Sequence, residues 1–408
     1  MIKIQIFFLV IILSTEICHS IIPFERYASS SVLVDKKLFF FGGRSSLLLS
    51  SFNQILCLDV SKPFNTQNPP FEILNVSIPV RSSLATTFFS PLNNVIYLFG
   101  GIMRDDTNSF DDGKSILYSF SLETNRWSTP QTNGLAPGRK RQMNGVISNK
   151  TRKFYVFGGF NDTNNTVLKD MNIFDIISST WLKGSTEGSP SSRMGYTATL
   201  LSNGIIVYIG GRESYLNEQQ RDADINQLPL YDTKIDQWSL MRARGTLENR
   251  YSHSAVLTPD ERIIIFGGNT NDLTIPVLNQ LAVLDTKVNP YEWSIPKPAP
   301  PLPLTINLHS ATLVGNYMFV NFGKIYVEDK SKEQLPYFYI LDIRDFTWVT
   351  QYEPEQHPQT PNNSKQIGII IGVSLGVGIV AGLLGYVYYK KQRVHKHAKQ
   401  AEQCVSYN

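Results

Sequence analysis

The chain has 408 residues with 38 Lys or Arg and 34 Asp or Glu, which gives a formal net charge of +4. The segment from Lys390 to Asn408 holds five basic residues and one acidic residue, so the rest of the chain is close to neutral. This distribution offers no argument for nucleic acid binding. With only three cysteines, the chain is not a small disulfide-rich domain, but its length suffices for a large core.

Residues 1–20 are predicted to be a secretory signal peptide. Lys3 precedes an apolar run from Ile4 to Leu13, and small residues lie before a cleavage position after Ser20. Cleavage there removes the first cysteine and leaves Cys57 as the one cysteine predicted outside the cell. Cys57 lies within an apolar strand, which predicts a buried, unreactive thiol.

Five Asn-X-Ser/Thr sequons are consistent with a secretory route. They are centred on Asn75, Asn149, Asn161, Asn164 and Asn362. Each tripeptide alone is a weak signal, so these positions are predicted glycosylation sites only in combination with the signal peptide.

Residues 24–352 contain an internal repeat. Short apolar runs end in paired glycines, and successive pairs are 58, 58, 52 and 57 residues apart. The pairs begin at Gly42, Gly100, Gly158, Gly210 and Gly267. A sixth, degenerate copy retains only Gly323, 55 residues after Gly268. A repeat of this length predicts one small unit of strands per copy, stacked on its neighbours.

Two further elements accompany the glycine pairs. Downstream, a strand ends in Asp and a Trp follows, as in Asp175 and Trp181; in the first copy Phe71 is expected to replace the Trp. Upstream, a basic residue precedes small and polar ones. The clear upstream copies begin at Arg193 and Arg250, and weaker copies are assigned to Arg26, Arg81, Arg139 and His309.

This three-part pattern resembles the kelch repeat over residues 24–352. The resemblance to the galactose oxidase and kelch-type propeller superfamily implies one four-stranded antiparallel blade per copy. The predicted fold class is therefore all-β, with a six-bladed kelch-type β-propeller over residues 21–352. Elementary packing agrees, because short strands with apolar faces must stack sheet on sheet, and a radial array leaves few exposed edges.

The resemblance also raises an enzyme, because the superfamily includes copper-radical oxidases. Their site needs two His and two Tyr, plus a Cys cross-linked to one Tyr. Here His253 and His309 occupy equivalent places in successive copies, His357 lies in a Pro-rich segment, and Cys57 lies in an ordinary strand. No catalytic residue, metal or cofactor is predicted from these positions. A membrane-tethered galactose-oxidase-like copper oxidase remains the alternative function.

Binding residues are predicted in the unequal loops that follow the glycine pairs. Because strands alternate in direction, these loops emerge on the same face as the connections between blades, and function on rigid scaffolds concentrates in such loops. The residues assigned to this face are Arg104, Asp105, Arg212, Tyr215, Arg221 and Asn271. The alternative for each is a hydrated loop residue without a ligand.

The C-terminal part predicts a membrane anchor. Residues 353–366 read as a Pro- and Asn-rich stalk. Residues 367–389 contain no Asp, Glu, Lys, Arg or His, and a helix of this length crosses a hydrocarbon core of about 30 Å. Residues 390–408 form a basic tail, which places them in the cytoplasm. Gly368, Gly372 and Gly376 match a helix-packing motif and suggest a homodimer, although glycine is common in spanning helices generally.

These observations predict a single-pass type I protein of the plasma membrane with its N-terminus outside the cell. The predicted function is a protein-binding or glycan-binding adhesion scaffold. Its expected partners are a protein or glycan ligand outside the cell and the membrane itself, and not nucleic acid.

Overall fold

The computed structural model describes residues 21–105, 107, 109, 115–214, 219–272, 275–300, 306–325 and 338–355. They form an all-β, propeller-like fold. Within these ranges no helix is long and apolar enough to cross a membrane. The chain divides into the units Met1–Pro354 and Glu355–Asn408, and only Glu355 of the second unit is described. The predicted signal peptide, membrane helix and tail therefore lie outside the described residues.

In the described residues six sheets, numbered here 1 to 6 along the chain, each contain four antiparallel strands that pair in chain order. Each sheet comes from one copy of the repeat. Sheet 1 contains Ser30–Val34, Lys37–Phe41, Ile55–Asp59 and Phe71–Ile73. Sheet 2 contains Thr86–Ser90, Val95–Phe99, Leu117–Ser121 and Arg126–Ser128. Sheet 3 contains Gly145–Ser148, Lys153–Asn161, Thr166–Asp175 and Thr180–Lys183, and Asn133–Gly134 adds a parallel fifth strand.

The second half of the chain repeats this arrangement. Sheet 4 contains Thr197–Leu200, Ile205–Ile209, Gln227–Asp232 and Gln237–Arg242. Sheet 5 contains Ser254–Leu257, Arg262–Phe266, Leu281–Asp285 and Glu292–Ser294. Sheet 6 contains Ser310–Val314, Tyr317–Asn321, Phe338–Asp342 and Thr347–Val349.

Additional short strands pair with one another at the ends of these sheets. Three groups join a segment that enters a first strand to a segment that follows the second strand of the same repeat: Arg81–Ser83 with Ile102–Arg104; Arg193–Met194 with Arg212–Ser214 and Gln220–Asp222; and Ile306–Asn307 with Lys324–Ile325. A fourth group pairs Phe64–Asn65 with Gln351–Tyr352 and so connects the two ends of the described chain.

The second strands are apolar on both faces because a sheet covers each side. In sheet 1 the four residues Leu38–Phe41 are each at most 5% exposed. Continuous rather than alternating apolar runs are the pattern of strands buried on both faces. The cores accordingly lie between consecutive sheets, and the cluster around Leu38 also includes Phe319 of sheet 6.

The Asp that ends each third strand shapes the following turn. Asp175 Oδ1 accepts a hydrogen bond of 3.0 Å from the N–H of Ile177, and Asp232 Oδ1 accepts one of 2.8 Å from Lys234. Short acidic side chains make this turn by bonding to backbone two residues on. In sheet 2, where the sequence has Ser121, its hydroxyl accepts from the N–H of Thr124 at 3.2 Å.

The aromatic residue of each fourth strand packs against the preceding sheet. The Trp181 ring lies 5.3 Å from that of Phe99, and Trp238 lies 4.9 Å from Phe157. Phe71 pairs with Leu58 at the register position that Trp181 occupies opposite Phe174. Phe71 therefore does replace the tryptophan in the first repeat.

A closed ring of backbone hydrogen bonds joins the entries of the six first strands. Each ring residue has a left-handed φ between 52° and 64° and donates its N–H to the carbonyl of its counterpart in the preceding repeat. The ring residues are Ala28, Leu84, Gln142, Gly195, Ser252 and Leu308. The bond from Ala28 to Leu308, 2.7 Å long, joins the first repeat to the last.

Candidate binding face

The candidate site is the surface formed by the segments that follow the glycine pairs and the segments that enter the first strands, called here the loop face. Strand pairing joins these two kinds of segment, as between Arg193–Met194 and Arg212–Ser214. Both kinds lie where the second strands end and the first strands begin. The prediction that the loops after the glycines share one face with the connections between sheets agrees with this pairing.

The glycine pairs hold the loop face close to the neighbouring sheet. A Cβ on Gly210 would lie 2.5 Å from the carbonyl oxygen of Arg250, which belongs to the next repeat. A Cβ on Gly211 would lie 2.7 Å from the Met194 carbonyl of its own repeat. Both glycines have left-handed φ angles, 60° and 93°, which other residues adopt at a cost. The first glycine thus contacts the next sheet and the second contacts its own.

The basic residue of the repeat caps the carbonyl of the first glycine. Arg26 Nη1 donates to the Gly42 carbonyl at 3.1 Å, and Arg250 Nη1 is 3.4 Å from that of Gly267. Both side chains are buried, and burial lowers the pKa of each guanidinium to about 10.

Three of the weaker copies of the basic residue were assigned to the wrong position in the repeat. The basic residue of the clear copies lies two positions before the ring residue, and that rule selects Ser82, Lys140 and Ile306 instead of Arg81, Arg139 and His309. Lys140 is fully buried and bonds to Asp170 at 2.8 Å and 2.9 Å. Ser82 and Ile306 have no charge, so the repeat tolerates loss of the cation.

Glu213 is the centre of a charged cluster on the loop face. Its side chain is 9% exposed and contacts Arg193 at 3.2 Å and Arg221 at 2.8 Å, while Ser191 donates to it at 2.8 Å. Burial alone would raise the pKa of Glu213. The hydrogen bonds from Ser191 and Arg221 and the two positive charges outweigh it, so the pKa lies below its ordinary value. Sequence reasoning missed Glu213.

Arg212 links this cluster to sheet 5. Its Nη2 donates to Asn271 Oδ1 at 3.1 Å, its Nε lies 3.6 Å from Asp222, and its guanidinium lies 5.1 Å from the Tyr251 ring centre. Burial raises the pKa of Asp222, and the charge of Arg212 opposes this. Three predicted residues, Arg212, Arg221 and Asn271, therefore lie together on two consecutive repeats.

The other predicted residues are elsewhere or undescribed. Arg104 ends a short strand of the second repeat, opposite Arg81. Asp105 accepts hydrogen bonds from the Ser109 N–H at 2.9 Å and the Thr107 hydroxyl at 2.7 Å, so its carboxylate organises its own turn. Tyr215 lies outside the described residues.

A central cavity of about 210 Å³ lies beside the hydrogen-bonded ring, and first-strand residues of all six repeats line it. His253 and His309 also line it, each one residue after its ring residue and one residue before a first strand. Their Nε2 atoms bond to Thr197 at 3.0 Å and to Ser254 at 2.8 Å, in each case on the preceding repeat. Burial lowers the pKa of His253 well below its ordinary value and that of His309 to about 3. Both imidazoles are therefore neutral spacers between sheets at physiological pH.

The residues considered for copper ligation lie apart in the fold. Cys57 is in the third strand of sheet 1 and packs in the core between sheets 1 and 2. His253 and His309 lie immediately before the first strands of sheets 5 and 6. In the part of the chain that the structure describes, no group of three or more His, Cys, Asp or Glu could hold a metal ion. His357 is not described.

The predicted glycosylation sites differ in local structure. Asn75, Asn149 and Asn164 are exposed. Asn161 is half-buried, and its side-chain oxygen accepts hydrogen bonds from the N–H groups of Thr163 and Asn164 at 2.8 Å and 3.1 Å. Asn362 lies outside the described residues.

Comparison with known proteins identifies similar kelch-type propellers. A family model described as Attractin/LZTR1 beta-propeller matches residues 14–278, and one described as KLHDC2/KLHL20/DRC7 Kelch-repeats domain matches residues 215–383. Kelch domain-containing protein 3 of Bos taurus is 30% identical over 181 residues, which cover 43% of this chain and 45% of that protein. Kelch domain-containing protein 10 of Homo sapiens is 24% identical over 276 residues, or 63% and 58% of the two chains. The chain thus spans about half the length of these relatives.

The solved structure of YjhT superimposes with a TM-score of 0.60 at 13% identity, covering 81% of this chain and 99% of that one, which shows the fold alone.

Proposed function

Because the chain belongs to the Attractin/LZTR1 β-propeller family, we propose that it is a protein-binding scaffold whose six sheets are the six blades of a complete kelch propeller. Kelch propellers generally bind proteins, and a rigid ring of sheets presents its loops without a large entropic cost on binding. We propose no catalytic role, and the copper-oxidase alternative gains no support from the positions of Cys57, His253 and His309.

The observation that carries the proposal is the charged cluster around Glu213. Its members come from three segments of one repeat. Arg193 and Arg221 are held by ion pairs with Glu213, and the neighbouring Arg212 is held by an ion pair with Asp222. Arg221 keeps 57% of its side chain exposed while it pairs with Glu213, so the paired side chain lies at the protein surface. Arginine is one of the residue types enriched among the dominant contacts of protein interfaces, and a guanidinium that is already held in place loses little entropy when it binds. An acidic partner surface is the expected complement.

The binding proposal is tested by charge reversal with a matched control. The Arg212→Glu/Arg221→Glu variant changes the loop face, and Lys150→Glu/Lys234→Glu makes the same charge change at two exposed turn residues outside it. Full-length wild-type and variant chains are probed against arrays of cell-surface proteins and of glycans. We expect the loop-face variant to lose its protein ligand while the control variant keeps it. Equal loss in both variants, or binding to glycans alone, contradicts the proposal.

We further propose that the propeller is displayed outside the cell on the helix 367–389, with the stalk 353–366 between them. Support comes from the sequence of both ends and from the exposed sequons at Asn75, Asn149 and Asn164. Helix association through Gly368, Gly372 and Gly376 would then pair two propellers.

Two epitope tags test this placement. A tag after Ser20 should be detected on intact cells, and a tag after Asn408 only after permeabilisation. Glycosidase treatment should lower the apparent mass. Detection of both tags only after permeabilisation would contradict the extracellular placement and would leave the protein-binding proposal standing.

A further inference from the structure

The loop that follows the glycine pair of the first repeat presents three consecutive leucines to solvent. This segment, called here the leucine loop, runs from Arg44 to Ser51 and belongs to the loop face. Leu47, Leu48 and Leu49 are 72%, 53% and 69% exposed. Single exposed leucines are ordinary on a protein surface, whereas a contiguous apolar patch marks an interaction site.

The leucine loop is anchored to the rest of the first repeat. Its two ends, Arg44 and Ser51, form a backbone bridge. The carboxylate of Glu25 accepts hydrogen bonds from the Ser45 hydroxyl at 2.7 Å and from the Leu47 N–H at 2.9 Å. The exposure of the leucines is therefore a property of a loop whose backbone is held at several points, and such a loop loses little entropy when it binds.

The backbone at Leu49 gives a further reason to look for an external contact. Its φ is 50°, in the left-handed region that glycine and asparagine adopt at a lower free-energy cost than leucine. Because the side chain is 69% exposed, little packing within the chain offsets that cost. Burial of the side chain in an apolar phase outside the protein would offset it.

Three basic residues lie at the two ends of the leucine loop. Arg44 is its first residue, and Arg81 Nη1 donates to the carbonyl of Ser51, its last residue, at 3.1 Å. Lys324 Nζ lies 5.7 Å from the ring centre of Tyr27, whose backbone exchanges hydrogen bonds with that of Arg44. All three bases are half-buried. An apolar tip with positive charge at its base complements a phospholipid surface, where phosphate groups lie above the acyl chains.

The described chain also ends beside the first repeat. Gln351–Tyr352 pairs with Phe64–Asn65, and Glu355 is the last described residue. Residues 356–366 separate it from the proposed membrane helix 367–389, and a chain of that length spans at most about 40 Å. A bilayer that holds the helix is therefore within reach of the first repeat.

We propose that the leucine loop inserts into the phospholipid bilayer that holds the helix 367–389, an inference that rests on the proposed membrane display. The three leucines enter the boundary between head groups and acyl chains, to a depth of about 5–10 Å. The three bases bind lipid phosphate groups. In the proposed six-bladed ring the first repeat is opposite the fourth, so this contact leaves the cluster around Glu213 accessible to a protein partner.

An environment-sensitive fluorophore on the leucine loop tests this proposal. It is attached to full-length Leu48→Cys and, as the matched control, to Leu240→Cys, because Leu240 is 65% exposed on the fourth strand of sheet 4. Both chains carry Cys404→Ser, and Cys57 is buried. After reconstitution into phosphatidylcholine liposomes and flotation, emission at position 48 should shift to shorter wavelength and be quenched by a lipid with a spin-labelled acyl chain. Emission at position 240 should show neither change.

Two further variants measure the contribution of the leucines. In the chain labelled at position 48, Leu47→Ser/Leu49→Ser should lower the ratio of inserted to free loop at least tenfold, because burial of two leucine side chains is lost. Ile235→Ser/Leu240→Ser removes two side chains that are 60% and 65% exposed on repeat 4. It should leave that ratio unchanged.

Three results would overturn the proposal. The first is unshifted emission at position 48 in chains that float with the liposomes, and the second is a shift that Leu47→Ser/Leu49→Ser does not reduce. The third is a shift that disappears when the same chain is diluted into more liposomes, since the leucines would then contact a second copy. Chains that do not float contradict the membrane display instead. Liposomes added to those chains then decide the leucine loop separately, because a shift at position 48 supports insertion and unchanged emission overturns it.

Discussion

Neighbouring sheets pack through different residues at two boundaries of the molecule. One is the boundary between sheets 2 and 3, and the other is the closing boundary between sheets 6 and 1. Between sheets 2 and 3, Gly100 lies against the Lys140 carbonyl and the Trp181 ring lies 5.3 Å from Phe99. Between sheets 6 and 1, Phe322 takes the place of the first glycine and Phe71 that of the tryptophan. The two phenyl rings stack at 5.7 Å.

This difference shows that the two departures from the repeat are one adjustment. The smaller Phe71 leaves space that Phe322 fills, and Phe322 accepts a left-handed φ of 59° to do so. The Arg26 guanidinium also lies 5.4 Å from the Phe322 ring centre. Packing of the last sheet on the first therefore depends on individual side chains, whereas packing at the internal boundaries depends on the repeated glycines. Tyr352, whose hydroxyl donates to the Val60 carbonyl at 2.9 Å, adds a further bond between the two ends.

The largest effect is expected at an internal glycine. Gly210→Ala places a Cβ 2.5 Å from the Arg250 carbonyl at a φ of 60°. We expect a loss of about 4 kcal/mol in the free energy of unfolding, because the left-handed backbone costs about 1–2 kcal/mol and a clash with packed backbone about 1–3 kcal/mol. Urea unfolding followed by circular dichroism measures the loss.

The matched control is Gly188→Ala. Gly188 has a similar φ of 66°, but the nearest atom to its added Cβ is 3.7 Å away. It should lose only the backbone part, about 1–2 kcal/mol. Equal losses in the two variants would show that the contact between sheets is not what selects glycine at position 210.

A smaller loss in the free energy of unfolding is expected at the closing boundary between sheets 6 and 1. The repeat pattern alone predicts that Phe322→Gly stabilises the fold, whereas the structure predicts that it destabilises the fold. Phe322→Gly restores the glycine pair of the other repeats. It also removes a side chain that is 1% exposed, so we expect a net loss of about 3 kcal/mol after relief of the backbone strain. The Phe71→Trp/Phe322→Gly double variant should recover part of that loss, and unfolding of all four chains gives the coupling energy. A stabilised Phe322→Gly variant would refute the proposed adjustment.

The sequence was sufficient for the features that repeat with a common residue type. Glycine pairs, Asp and Trp located the second, third and fourth strands, and the place of Phe71 followed from its spacing. The ring residues could not be recognised, because a left-handed φ is adopted there by Ala, Leu, Gln, Gly, Ser and Leu in turn. Without that reference point, three consecutive basic residues gave no reason to choose Lys140 over Arg139 or Arg141.

On the loop face, too, the sequence indicated some features and not others. Unequal loop length selected Arg212, Arg221 and Asn271, which lie on neighbouring segments of two consecutive repeats, and their role in binding stays a prediction. The contact between Arg212 and Asn271 joins two repeats across 59 residues, and nothing in a single sequence pairs them. Glu213 was overlooked because a carboxylate next to a loop gives no sequence signal of its burial between two arginines. Side chains in direct contact across repeats therefore required the fold.

The smallest effect concerns the residue that follows each ring residue. This residue is Ser29 at the closing boundary, and it is His253 and His309 at the last two internal boundaries. A buried imidazole whose pKa is about 3, as for His309, binds no proton near pH 6, whereas the unfolded chain does so below its ordinary pKa of about 6.5. The stabilisation is therefore complete above pH 6.5 and is lost as the pH falls from 6.5 towards 3, by about 1.4 kcal/mol per pH unit for each such histidine.

Between pH 7.5 and 5.5, His309→Gln should lose about 1.4 kcal/mol less than wild type in urea unfolding, because a neutral amide can still bond to Ser254. Ser29→Ala is the control, since it changes the equivalent place without a titrating group and should leave the pH dependence of wild type intact. An unchanged pH dependence in His309→Gln would mean that other groups set the acid sensitivity and that the histidine boundaries do not differ from the closing one in this respect.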